Sequence, residues 1–176
     1  MDIIIFTDGS CIKKYDKCYA GYGVHFPNGE FDDISKPFVK TPITNQRAEL
    51  YAIYSALKKV TKNYDLGSDK LVNNVMIYTD SEYSIKSLTE WIKSWIKNDW
   101  KTSNKKPVKN MDLIVPIYNI IKKFPNKIFL FHVRAHTKNS DYFSVHNDIA
   151  DKLANNGSSK SINFFERLRS NKLKML

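Results

Sequence analysis

Apolar residues in this chain of 176 residues follow two periods. The unbroken run Ile3-Ile4-Ile5-Phe6, closing at Asp8, predicts a strand buried on both faces over residues 3–8. Residues 20–26 and about 31–39 predict two more strands. Pro27-Asn28-Gly29 between them is a turn signal, so the chain opens as a hairpin or meander. From about Asn45 to Tyr64, Leu50, Ile53, Tyr54, Leu57 and Val60 recur at helical spacing. A strand over 74–80 follows, then a helix over about 82–97 and a basic segment to about 110. Residues 111–123 read as helical, with Pro116 a candidate break or kink. Lys127 to Arg134 alternates like a strand, and a last helix is predicted over about 146–156. The order β-β-β-α-β-α-α-β-α joins an antiparallel start to parallel crossovers. It implies a mixed α/β sheet with helices on its faces. The segment after Gly157 is polar and then basic, and its pattern leaves open whether it is a frayed end or a short helix.

Composition narrows the class. The hydrophobic share of 42% and aromatic share of 13% supply a core and exclude a disordered chain. No apolar stretch approaches the roughly 20 residues that span a bilayer. The start Met1-Asp2-Ile3 lacks the basic residues of a signal peptide. The expectation is therefore a cytoplasmic or nuclear protein, monomeric by default and without a membrane partner. Cys11 and Cys18 fit neither a zinc nor a redox spacing and are expected to be ordinary reduced thiols. A net charge of +10 points to nucleic acid. Its placement is more telling than its sum. Lys86, Lys93, Lys97, Lys101, Lys105, Lys106 and Lys109 face only Glu90 and Asp99 over residues 86–109, with Trp91, Trp95 and Trp100 interleaved.

Four acids stand out by their settings. Asp8 and Asp80 end apolar runs, Glu49 lies early in the first helical pattern and Asp151 early in the last. Taken singly, each has an ordinary explanation: a turn, a helix N-terminal charge, an N-cap, a solvated face. Strand ends and helix starts can also converge at one sheet edge. Two unit charges about 4 Å apart repel by roughly 4 kcal/mol at an effective dielectric near 20, so four converging carboxylates need cations. Oxygen ligands without His or Cys favour magnesium or manganese, and a pair of such ions suits displacement at phosphorus.

The residues around these acids carry a resemblance. Thr7-Asp8-Gly9-Ser10, Thr44-Asn45-Gln46-Arg47-Ala48-Glu49, Tyr78-Thr79-Asp80-Ser81 and Ala150-Asp151-Lys152-Leu153-Ala154 resemble, in order, the motifs of type 1 ribonuclease H over about residues 2–156. The segment from Trp91 through Trp95 to Asn98-Asp99-Trp100-Lys101-Thr102-Ser103 brings the likeness closer to the eukaryotic branch. The resemblance implies a ribonuclease H-like fold: a five-stranded mixed sheet, its first three strands antiparallel and the rest parallel, flanked by helices. Residues 1–156 would form the catalytic domain and 157–176 a basic C-terminal tail. The implied activity is cleavage of the RNA strand of an RNA–DNA hybrid with two Mg2+ ions, for which Mn2+ can substitute, leaving 5′-phosphate and 3′-hydroxyl ends. Asp8, Glu49, Asp80 and Asp151 would hold the metals, with Asp8 bridging both.

The same likeness assigns His136 to proton transfer or product release, although Arg134-Ala135 and a longer stretch to Asp151 depart from the usual pattern. His146 is a competing candidate, its neighbour Asn147 suggesting a helix cap instead. Asn45, Gln46, Glu49 and the backbone around Cys11 would meet the minor groove and the ribose hydroxyls. Trp91, Trp95, Trp100, Lys101, Thr102 and Ser103 would form a basic protrusion on the DNA strand, one indole bracing and another touching sugar. Thr44 and Asn110 match a pocket for a DNA phosphate, whose arginine is replaced here by Pro42, with Lys40 a candidate substitute. An auxiliary N-terminal hybrid-binding domain, common in eukaryotic members, is not expected, because the catalytic pattern begins at residue 3.

Overall fold

The computed structural model describes residues 1–14, 16–68, 71–134 and 140–173. Strands β1 (Asp2–Lys14), β2 (Lys17–His25) and β3 (Ile34–Phe38) form an antiparallel meander. β4 (Asn74–Thr79) joins β1 in parallel and β5 (Ile128–His132) joins β4 in parallel, giving the sheet order β3-β2-β1-β4-β5. The five-stranded mixed sheet expected from the sequence is the one observed. Helices are α1 (Asn45–Asn63), α2 (Glu82–Lys86), α3 (Ile92–Lys97), α4 (Met111–Lys123) and α5 (Tyr142–Leu173). Among the described residues no helix is long and apolar enough to cross a membrane.

The two sheet faces hold different cores. Ile3, Ile5, Val75 and Ile77 meet Leu50, Ile53, Leu57 and Val60 of α1 in the larger one, all fully buried. Truncating such a leucine or isoleucine to alanine typically costs about 2–5 kcal/mol. On the opposite face Phe6 packs with Val133 and Ala150 of α5. The unbroken apolar run at the start of β1 therefore reports burial on both faces.

Several elements depart from expectation. β1 runs six residues past Asp8, because Gly9 through Lys14 pair with Lys17 through Tyr22. Asp8 thus lies within a strand rather than at its end. That register also brings Cys18, opposite Lys13, next to Cys11, opposite Ala20, and the two sulfurs are joined as a disulfide instead of two separate thiols. The helix over 82–97 is interrupted by one π-helical turn, Ser87–Trp91. Pro116 sits inside α4 without breaking it. α5 begins at Tyr142, where the Asp141 carboxylate accepts from the N–H groups of Phe143 and Ser144, and it continues through residue 157 to Leu173 as one helix. Residues 157–173 thus continue the last helix.

Candidate active site and nucleic-acid interface

Close backbone approaches set the four acids beside one another. α1 crosses β1 at Gly9, where any Cβ would fall on the backbone of Ala48 and Glu49. α5 crosses β2 at Gly23, where a Cβ would fall on the carbonyl of Ala150 and the backbone of Ala154. Glycine at these two positions brings Glu49 and Asp151 against Asp8 from opposite faces. Asp80 follows the last residue of β4, next to Ser81, which caps α2 by accepting from the Ser84 N–H. Asp80 is thus not itself the cap.

The other three acids are near enough to Asp8 to act on its charge. Asp8 is 6% exposed. Its pKa is pushed up to about 8, first by burial and then by Asp80, with Asp151 and Glu49 adding, while the Gly9 N–H, donating to Oδ1 at 2.8 Å, opposes the rise. Glu49 is also raised, by burial and then Asp80, against a hydrogen bond from Ser81. Each acid is aimed by a neutral neighbour. Asn45 Nδ2 donates to Glu49 Oε1 at 2.6 Å, and Ser81 Oγ donates to Oε2 at 2.5 Å. Asn147 Nδ2 donates to Asp80 Oδ2 at 3.2 Å. Asn155 Nδ2 donates to Asp151 Oδ1 at 3.0 Å, and Asn155 Oδ1 accepts from Ser10 Oγ at 2.5 Å.

Among the described residues no three His, Cys, Asp or Glu side chains are closed tightly enough to hold an ion as they stand. The donor set nevertheless fits hard dications. It is all carboxylate, backed by amides and hydroxyls, and its central member has a pKa raised to about 8 by burial first and by the neighbouring acids second. A cation entering here would replace that carboxyl's proton.

Sequence reasoning missed Ser81, Asn147, Asn155 and Ser10 as supports. Asn147 and Asn155 lie four residues before and after Asp151, one helical face, and that spacing is the signal that would have found them. Asn147 is not a cap. It is 2% exposed inside α5, because the helix starts earlier than expected. His136 lies outside the described residues. His146 has a different engagement from the one considered: its Nδ1 is 2.9 Å from His25 Nε2, whose Nδ1 is 2.8 Å from Asp33, and burial followed by His25 lowers its pKa. His132, at the end of β5, places Nε2 3.3 Å from the Asp80 carbonyl and was not anticipated.

The predicted substrate contacts fall into two groups. Asn45 and Gln46 are exposed at the start of α1, with Thr44 the N-cap, its side chain accepting from the Arg47 N–H at 3.2 Å. Thr44 and Asn110 meet through Arg47, whose Nη1 donates to Asn110 Oδ1 at 3.3 Å. Arg47 is 2% exposed and forms a two-pronged pair with Asp112 at 2.7 and 2.6 Å. Lys40 lies near enough to help hold Asp112 low. Arg47 thus bonds to Asn110 and Asp112, and Lys40 acts on the same Asp112 carboxylate. The second group follows α3. Trp95 and Trp100 pack against the main core, whereas Trp91 is 39% exposed, its ring 5.8 Å from that of Trp95. Residues 98–110 fold back on themselves through a bridge between Lys101 and Pro107 and the bond from Val108 N to Trp100 O, leaving Lys101, Lys105, Lys106 and Lys109 exposed.

Comparison with known proteins agrees with the five-stranded mixed fold. The family model described as RNase H matches residues 1–159. A "Probable ribonuclease H" of Acanthamoeba polyphaga mimivirus is 43% identical over 81% of this chain and 59% of that protein. A "Ribonuclease H" of Schizosaccharomyces pombe is 39% identical over 89% of this chain and 53% of that protein. The chain thus spans between half and three fifths of the length of these relatives. The solution structure of the PFV RNase H domain superposes with a TM-score of 0.70 at 28% identity, covering 89% of this chain and 94% of that one.

Proposed function

Because the chain belongs to the ribonuclease H family, we propose that it hydrolyses the RNA strand of RNA–DNA hybrids, leaving 5′-phosphate and 3′-hydroxyl ends. The observation that carries this reading is the meeting of Asp8, Glu49, Asp80 and Asp151 around a carboxyl whose pKa is raised to about 8. These four would hold two divalent ions, Mg2+ or Mn2+ in its place. When bound, such ions supply an activated water and charge stabilisation on the leaving oxygen.

The chain's own residues do the rest. Ser81 and Asn45 fix both oxygens of Glu49, Asn147 fixes Asp80, and Asn155 ties Asp151 to β1 through Ser10. Fixed ligands spare reorganisation during the displacement. Asn45 and Gln46, exposed beside Glu49, present amides that can both donate to and accept from ribose hydroxyls, and the backbone around Cys11 continues that line along β1. On the DNA side Trp91 is the indole free to lie on deoxyribose, while Trp95 and Trp100 brace the protrusion. Lys101, Thr102 and Ser103 present donors to phosphate there, and Thr44, Asn110, Arg47 and Lys40 surround a further phosphate position. His136 is assigned to proton transfer or product release.

The deciding experiment offers a labelled RNA–DNA hybrid, double-stranded RNA and DNA duplex in Mg2+. Cleavage confined to the RNA of the hybrid is expected, and an intact hybrid would refute the assignment. A second expectation concerns the protrusion. Replacing Lys101, Lys105 and Lys106 together by glutamine should flatten the log–log salt dependence of hybrid binding by roughly 2 to 3, at about 0.7–0.9 per lost phosphate contact. An unchanged slope, read by anisotropy titration, would leave these lysines as solvated surface.

A further inference from the structure

The match to the family ends at residue 159, yet α5 continues to Leu173 without a break. This continuation is tied to the sheet. Ser158 Oγ donates to the Ser10 carbonyl at 2.9 Å, Lys160 Nζ donates to the Ser35 carbonyl at 3.0 Å, Phe165 meets Tyr19 edge-on with centroids 5.9 Å apart, and Glu166 pairs with Lys14 at 3.2 Å. Contacts advance together along both elements, Asn155 with Ser10 and Glu166 with Lys14. α5 therefore runs in the direction of β1, away from the carboxylates and toward the β1–β2 hairpin tip.

Two independent rises give reaches of about 20 and 27 Å. Asp8 and Lys14 are separated by about 20 Å along β1 at about 3.4 Å per residue. Asp151 and Arg169 are separated by about 27 Å and five turns along α5, at about 1.5 Å and 3.6 residues per turn, so Arg169 returns to the helical stripe that carries Asp151 and Asn155. The end of this line is basic. Lys13, Lys14 and Lys17 stand on the hairpin and Arg167 and Arg169 on the helix, opposed by Asp16 and Glu166. Lys17 and Arg169 are exposed and form no ion pair among the described residues.

We propose that the hairpin tip and the far end of α5 form a basic ledge that takes backbone phosphates of the hybrid on one side of the cleavage site, about 20–27 Å from the carboxylates. At about 3.4 Å per nucleotide this is some six to eight base pairs away. The ledge rests on the hybrid-binding part of the proposed function. It continues along β1 and α5 the line that begins with the Ser10–Asn155 contact and ends with the Lys14–Glu166 pair. Charge complementarity with a polyanion commits the surface to that occupant.

The test separates the ledge from the chemistry. Binding of an 18-base-pair hybrid is followed by fluorescence anisotropy against salt, without divalent ion, for the parent, for Lys17→Gln/Arg169→Gln, and for the control Lys58→Gln/Lys62→Gln on α1. The ledge variant should lower the log–log slope by about 1.8 and the control should leave it in place. An unchanged slope in the ledge variant, or an equal fall in the control, overturns the proposal. Cleavage is then measured on duplexes with one short ribonucleotide tract and arms of 4 or 14 base pairs on either side. Lengthening one arm only should lower the parent's KM by about fivefold at constant kcat, and the ledge variant should lose that dependence. Equal KM for all arms, or arm dependence retained in the variant, also overturns it. A parent that binds with the expected slope but cleaves nothing refutes the hydrolase reading and leaves the ledge standing.

Discussion

Asp8→Asn should abolish hybrid cleavage while making the metal-free protein more stable at pH 8. The first effect follows from removing the carboxylate that all the others face. A loss in kcat on the order of a thousandfold or more is expected when such a charge-stabilising ligand goes. The second effect is a linkage argument. The Asp8 pKa is raised from 3.8 to about 8 in the fold, so the folded state holds a proton that the unfolded chain gives up. The stability tied to that proton is fully present below pH 3.8 and is lost as the pH rises toward 8. The loss is on the order of 5 kcal/mol at about 1.36 kcal/mol per pH unit. Asparagine keeps the shape without the charge, so the variant should unfold at higher temperature than the parent at pH 8 and at nearly the same temperature at pH 4. Mg2+ should reverse the order at pH 8 by stabilising the parent alone. The Mg2+ concentration giving half of that stabilisation should fall about tenfold per pH unit between pH 6 and 8, since ion and proton compete for one carboxyl. Thermal scans at both pH values, with and without the ion, decide it. A variant no more stable than the parent at pH 8 without metal would show that neither burial nor the other acids raise the Asp8 pKa.

The acids were legible because each is announced by a local pattern that survives folding: an apolar strand before Asp8 and Asp80, a helical repeat around Glu49 and Asp151. What surrounds them was less legible. The continuation of β1 beyond Asp8 has no apolar signature, because Gly9-Ser10-Cys11 is held by pairing with β2 rather than by preference. Missing that continuation hid the hairpin, and with it the meeting of Cys11 and Cys18 and the place of Lys13 and Lys14. The tail was ambiguous for a similar reason. Gly157 and a polar run read as a helix end, yet Gly157 lies against the Lys36 carbonyl, where packing outweighs its poor helix propensity. Arg47 looked like one motif letter among several. Only the fold shows that Asp112, far along the chain, holds it between Thr44 and Asn110.

Gly9→Ala should damage catalysis and stability together, because one backbone contact carries both. A Cβ at Gly9 would fall on the Glu49 nitrogen, 2.7 Å from the Ala48 carbonyl carbon and 2.8 Å from Glu49 Cα. None of these is the end of a side chain that can swing away, so α1 itself has to retreat from β1. Overpacking of this kind typically costs about 1–3 kcal/mol. The retreat also carries Glu49 away from Asp8 and strains its bond from Ser81. A displacement of about 1 Å at a reacting centre costs on the order of a hundredfold in rate. Gly29→Ala supplies the contrast. Its φ of +73° disfavours a side chain, but nothing lies within 4 Å of the added carbon, and the turn follows β2, outside the strand pairing that holds Asp8. That variant should lose about 1 kcal/mol of stability with kcat unchanged. The comparison therefore separates lost folding energy from lost geometry. If Gly9→Ala matched Gly29→Ala in kcat, α1 would not be seated directly on β1, and the placement of Glu49 would need another cause.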